Sequence, residues 1–117
     1  MPKINESELK KEIKSGDFKN AYLLYGEESY LKEYYASELK NKIVDKTFEA
    51  FNFHYFDGKD TELDDILKDA QMLPMMSEYN FVMVKDYPIE KSANDIKLLE
   101  EYLKDAPDTT VFVLWFD

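Results

Sequence analysis

An α/β fold built on an open parallel sheet with flanking helices is what this sequence predicts, and three features predict it. Helix-like and strand-like patterns alternate from one end of the chain to the other. The strand-like runs are nearly continuous in apolar residues, as strands covered on both faces by helices must be. The gaps between successive runs hold about 25 residues, room for a crossover helix and two loops. Crossovers of that kind are right-handed, because a right-twisted strand feeding a helix packs back onto the sheet only that way.

Taken in order, the first element is a short helix. Asn5 and Glu8 form a capping-box pattern, Leu9 and Ile13 share a face, and Gly16 is the stop. Ala21-Tyr22-Leu23-Leu24-Tyr25 reads as a buried strand ended by Gly26. Ser29 is an N-cap for a helix over about 30–44, with Leu31, Tyr35, Leu39 and Ile43 on one face. Phe51 to Phe56 reads as a second strand, and Asp57-Gly58 as its turn. Thr61 and Asp64 resemble a cap pair for a third helix, whose stripe is Leu63, Ile66, Leu67 and Ala70 and whose end is Pro74. Asn80 to Val84 is a third strand, and Tyr87-Pro88 marks a loop. Ser92 or Asn94 caps a fourth helix with Ile96, Leu99 and Leu103, stopped by Pro107; Thr110 to Phe116 is a fourth strand. That strand ends one residue before Asp117, so the expectation is a single domain, 1–117, that is the N-terminal part of a longer protein and is truncated after the fourth strand.

Composition narrows the function classes. The net charge is −10, and all 15 basic residues are lysine. Duplex binding depends on neutralising phosphates, and bidentate contact to phosphate or guanine depends on arginine, so any link to DNA is expected through a partner or complex. The absence of cysteine excludes disulfides and thiolate chemistry and fits a cytoplasmic protein. No apolar run reaches the ~20 residues of a membrane span.

Gly26 and Lys32 stand where a phosphate loop would put its first glycine and its lysine. The second glycine is replaced by Leu31 and the magnesium-binding Ser/Thr by Glu33. Glu27 and Glu28 then occupy the helix N-terminus, where they complement the dipole themselves and repel a triphosphate. The loop is degenerate, Lys32 reads as a surface lysine, and no cofactor is expected. A nucleotide-binding domain with an atypical loop is the alternative reading, and a receiver-like acidic domain a third. Against the receiver, the first strand lacks the acidic pair at its end. Asp86, at the end of the third strand, reads as structural. His54 is the single histidine and reads as a packed or paired residue. The acidic run Asp57, Asp60, Glu62, Asp64 and Asp65 has Gly58 too early for an EF-hand loop. No metal site is expected, and no catalytic residue is assigned.

Gln71-Met72-Leu73-Pro74-Met75-Met76 is the candidate site. A helix should stop here with Gly, Lys or Asn and hide its methionines. Three methionines beside a proline instead suggest an adaptable apolar knob for a partner. Gln71, Met72, Pro74 and Met75 are expected to protrude, and Leu73 to fold back as the anchor.

The phrase Ala21-Tyr22-Leu23-Leu24-Tyr25-Gly26-Glu27-Glu28-Ser29-Tyr30-Leu31, the aromatic second strand, Met72-Leu73-Pro74-Met75-Met76 and the strand at 111–116 together resemble the delta subunit of the bacterial DNA polymerase III clamp loader. The resemblance runs over nearly the whole chain in order and spacing. It implies a P-loop NTPase or AAA+-like domain without a working nucleotide site. It also implies a non-catalytic role in a nucleotidyltransferase complex, the polymerase III holoenzyme. The implied partners are the sliding clamp (the beta subunit) and the other clamp-loader subunits, with DNA reached only through the full complex and no membrane. Met72, Pro74 and Met75 match the positions of the wedge that helps open the clamp during DNA replication, with Gln71, Leu73 and Met76 beside them. Clamp-binding peptides of this kind usually end in Leu-Phe, and this stretch has no aromatic.

Overall fold

A computed structural model describes residues 6–24, 29–89 and 92–115. Helix α1 is Glu6–Ser15. It closes at Gly16, whose N–H donates to the Glu12 carbonyl at 2.9 Å and whose φ of +84° is the left-handed turn that glycine adopts without a Cβ clash. Strand β1 is Ala21–Leu24 and helix α2 is Ser29–Ile43. A 3-10 turn, Lys46–Phe48, leads into a short helix α3, Glu49–Asn52, and then strand β2, Phe53–Asp57. Helix α4 is Leu63–Ala70, strand β3 is Asn80–Lys85, helix α5 is Ala93–Lys104 and strand β4 is Thr110–Trp115. Asn5, Tyr25, Gly26 and Phe116 lie outside the described residues.

Several boundaries differ from the sequence reading. Phe51 and Asn52 belong to helix α3 instead of the second strand. The Asp45 carboxylate accepts the Thr47 N–H at 2.9 Å and starts a helical turn that runs on to Asn52. Thr61 and Asp64 do not pair across the start of α4. The N-cap is Glu62, without a side-chain bond, and the Thr61 hydroxyl donates to the Asp57 carbonyl at 3.0 Å, closing the preceding turn. Helix α4 also stops at Ala70, well before Pro74. At α5 the choice of caps resolves to Ser92, whose hydroxyl accepts the Asp95 N–H at 3.2 Å.

The four strands form one sheet in the order β1-β4-β3-β2, with every pairing parallel. Alternate residues supply two cores. On one face Tyr22, Phe81, Met83, Val111 and Val113 pack under α1 and α2 through Leu9, Tyr35, Ala36 and Leu39. On the other, Val82, Val84, Phe112 and Leu114 pack under α4 and α5 through Ile66, Leu67, Ala70, Leu99 and Tyr102. Both faces of β3 and β4 are therefore apolar, which is why their sequences show no alternation.

Lys32 corrects the sequence reading: it is buried, at 8% exposure, not a surface lysine. It precedes Tyr35 by three residues and Ala36 by four, so it lies on the inward stripe of α2, where its aliphatic stem is covered.

Candidate functional site

The end of α4 and the loop after it carry a run of exposed apolar side chains. Met72 is 48% exposed, Leu73 78%, Met75 52% and Met76 77%, while Pro74 is half-buried. Gln71 is exposed as the helix C-cap. The expectation that Leu73 folds back as an anchor is overturned. Helix α4 has already ended at Ala70, so the helical periodicity that would have turned one residue inward no longer applies by position 73.

What anchors the loop is polar. Asn52, 1% exposed, accepts the Met75 N–H on Oδ1 at 2.6 Å and donates from Nδ2 to the Met75 carbonyl at 2.8 Å. Asn80, also 1% exposed, donates from Nδ2 to the Asp69 carbonyl at 3.0 Å and the Met72 carbonyl at 3.3 Å. The buried Tyr102 hydroxyl donates to the Ala70 carbonyl at 3.0 Å. Asn80 and Tyr102, from β3 and α5, thus take up carbonyls that the end of a helix leaves open, and Asn52, from α3, takes up the backbone groups of the loop beyond it. The backbone of residues 69–75 is tied down, and the apolar side chains are what remain outside. Met76 then turns into the left-handed region, φ 56°, a conformation that a non-glycine residue holds only where its surroundings impose it.

His54, on β2, sits beneath the same helix end. Its Nδ1 lies 3.5 Å from an Asp69 carboxylate oxygen, and its side chain is largely buried. This is the packed and paired placement expected of it. Two open grooves flank α4, one of about 630 Å³ and one of about 570 Å³. The first is lined by Asp64, Glu101 and Asp105 against Lys68, the second by Asp60, Glu62, Asp64 and Asp95 against Lys59. Both carry an excess of negative charge, which disfavours a nucleotide phosphate. Among the described residues no group of three or more His, Asp or Glu is placed to hold a metal ion. Nor is any helix long and apolar enough to cross a membrane.

The tyrosines that pin these elements make the fold sensitive to alkali. Burial pushes Tyr102 up to about 12. Burial, and then the hydrogen bond its hydroxyl donates to Asp95 at 2.7 Å, push Tyr87 up to about 12. Burial, followed by its bond to Glu12, raises Tyr22 still further. A tyrosine raised in the folded state contributes stability that is fully present below its unfolded pKa near 10 and is lost as pH climbs to the folded value. Stability is therefore expected to fall between pH 10 and 12, by up to about 1.4 kcal/mol per pH unit for each group. Urea denaturation across that range, with Tyr102→Phe giving a shallower fall, checks this; a flat profile contradicts it.

The chain is similar over most of its length to known proteins. Residues 22–117 match the family described as DNA polymerase III, delta subunit. A DNA polymerase III subunit delta from Bacillus subtilis (strain 168) is 33% identical over 111 residues, covering 89% of this chain and 32% of that protein. A solved structure of the Bacillus subtilis DNA clamp loader delta protein superposes with a TM-score of 0.84 at 32% identity, covering 95% of this chain and 35% of that one. The chain spans about a third of the length of the relatives it matches. It has their four-stranded parallel sheet flanked by helices, and on this agreement of sequence and fold it belongs to the DNA polymerase III delta subunit family.

Proposed function

We propose that this chain is a non-catalytic docking domain of a cytoplasmic clamp loader, and that it engages the sliding clamp through Gln71, Met72, Leu73, Pro74, Met75 and Met76 to help open the ring during DNA replication. The observation that carries the reading is four large apolar side chains standing in solvent on a backbone held by hydrogen bonds from two buried asparagines. Exposed apolar residues that serve no partner would normally be selected against or left on a mobile segment. Methionine suits the task, because its unbranched thioether fills an irregular apolar pocket without an aromatic ring. Leu73 joins the contact as its most exposed member instead of supporting it from below. The other clamp-loader subunits are further partners in this reading. DNA is reached through the complex, in keeping with a charge of −10.

Titrating a sliding clamp with this chain and with its Met72→Ala/Met75→Ala variant tests the proposal. The unmutated chain should bind saturably, and the variant at least about tenfold more weakly, the scale expected when apolar anchors are truncated. Thermal stability should hold, because both side chains face solvent. Absent binding by the unmutated chain, or equal binding by the variant, refutes the assignment.

A further inference from the structure

From the geometry around Met75 we infer that Asn52 is a positioning residue for partner docking, holding the Met72–Met76 loop in its binding conformation before the partner arrives. The inference rests on the docking role proposed above and explains how an exposed, methionine-rich loop can serve it. Asn52 lies 23 residues before Met75 in sequence, on a different element, and its amide satisfies both backbone groups of that residue, at 2.6 and 2.8 Å. A primary amide held this way imitates a neighbouring strand: one donor and one acceptor meet one acceptor and one donor. The next residue, Met76, is in the left-handed region at φ 56°. A free chain would relax out of that conformation. Attachment at Met75 and left-handed backbone at Met76 are independent signs that the loop conformation is imposed from outside the loop.

The consequence for docking follows from population arithmetic. When only a fraction of molecules holds the competent conformation, apparent affinity falls by that fraction. Methionine has three rotatable bonds, so side-chain ordering already opposes binding, and a mobile backbone would add to the cost. Asn52 removes the backbone part in advance. Its loss should therefore reduce the rate of association and leave the rate of dissociation nearly unchanged, since the bound loop is the same in both cases. A residue that merely touched the partner would chiefly change dissociation.

The test compares the chain with Asn52→Ala and Asn52→Asp by surface plasmon resonance on immobilised sliding clamp. The same proteins are examined by methionine-methyl NMR. Asn52→Ala should associate about tenfold more slowly, with dissociation within about twofold of the original. The methyl signals of Met72, Met75 and Met76 should move towards random-coil positions, while that of buried Met83 stays in place and reports that the core is intact. Asn52→Asp keeps the acceptor for the Met75 N–H but turns a second oxygen towards the Met75 carbonyl in place of the donor, so it should associate at least as slowly as Asn52→Ala; whichever variant folds serves the test. Clamp binding by the unmutated chain, with unchanged association in folded Asn52 variants or unchanged loop methyl signals, overturns the role of Asn52 alone. Absent clamp binding by the unmutated chain overturns the docking role and, with it, this one.

Discussion

Replacing Gly58 by alanine is expected to destabilise the fold by about 3 kcal/mol or more, the upper range for forcing atoms into a packed interior. A Cβ at this position would stand 2.3 Å from the Tyr87 Cα and 2.4 Å from its nitrogen. Those are backbone atoms and cannot swing aside as the tip of a lysine would. The turn cannot simply lift away either, because the Gly58 N–H donates to the Lys85 carbonyl at 2.7 Å, extending the pairing of β2 with β3. Tyr87 is itself buried and fastened to α5 through Asp95. Relief of the clash must therefore pull either β2 from β3 or Tyr87 from the core beneath α4 and α5. Urea denaturation measures the loss. A variant within about 0.5 kcal/mol of the original, the range of innocuous surface changes, would show that the contact yields far more easily than its backbone character allows.

The second large effect is expected at Asn80. Alanine there leaves the Asp69 and Met72 carbonyls without the donor that serves both, at a site where Asn80 is almost wholly covered. The Asp69 carbonyl keeps the Met72 N–H at 3.1 Å, so the Met72 carbonyl loses most; an unmade hydrogen bond in such a place costs roughly 1–3 kcal/mol, and a loss of about 2 kcal/mol in denaturant is the central expectation. Function should suffer as well, because the last turn of α4 and Met72 are released together. This separates Asn80 from Asn52. Asn52 is as covered as Asn80, but the groups it serves belong to Met75, in the loop beyond α4 and half in solvent, so the loop can open there and give both groups to water without unfolding the core, and the loss of global stability should be smaller. Denaturation midpoints for Asn80→Ala and Asn52→Ala, measured side by side, should differ clearly. Equal midpoints would contradict this division of labour.

The regular elements were legible from local patterns. Gly16, Ser92 and Pro107 punctuate helices as their chemistry requires, and β3 and β4 advertise burial on both faces by composition. The apolar loop was legible as an anomaly, too many methionines past a helix end. Its supports were not. Asn52, Asn80 and Tyr102 act across 23, 11 and 32 residues of sequence, and a polar side chain that reaches that far leaves no periodic trace. A usable signal was present all the same: an asparagine set between two phenylalanines in an aromatic run is a poor strand residue unless its amide has been recruited elsewhere. Leu73 and Lys32 were misjudged for one common reason. Their orientation depends on where a helix ends and on which stripe it turns inward, and residue-level hydrophobicity fixes neither.

The strand order also bears on how the chain reaches this state. β4, the last of the described strands, lies between β1, the first of them, and β3. Until residues 110–115 are available, β1 has no neighbour to bond with among the described strands, and the β2–β3 pair has an open flank. The described strands are therefore joined by a late, long-range closure whose loop entropy must be met before the central contacts form. Folding should accordingly be slower than in a helical bundle of equal length.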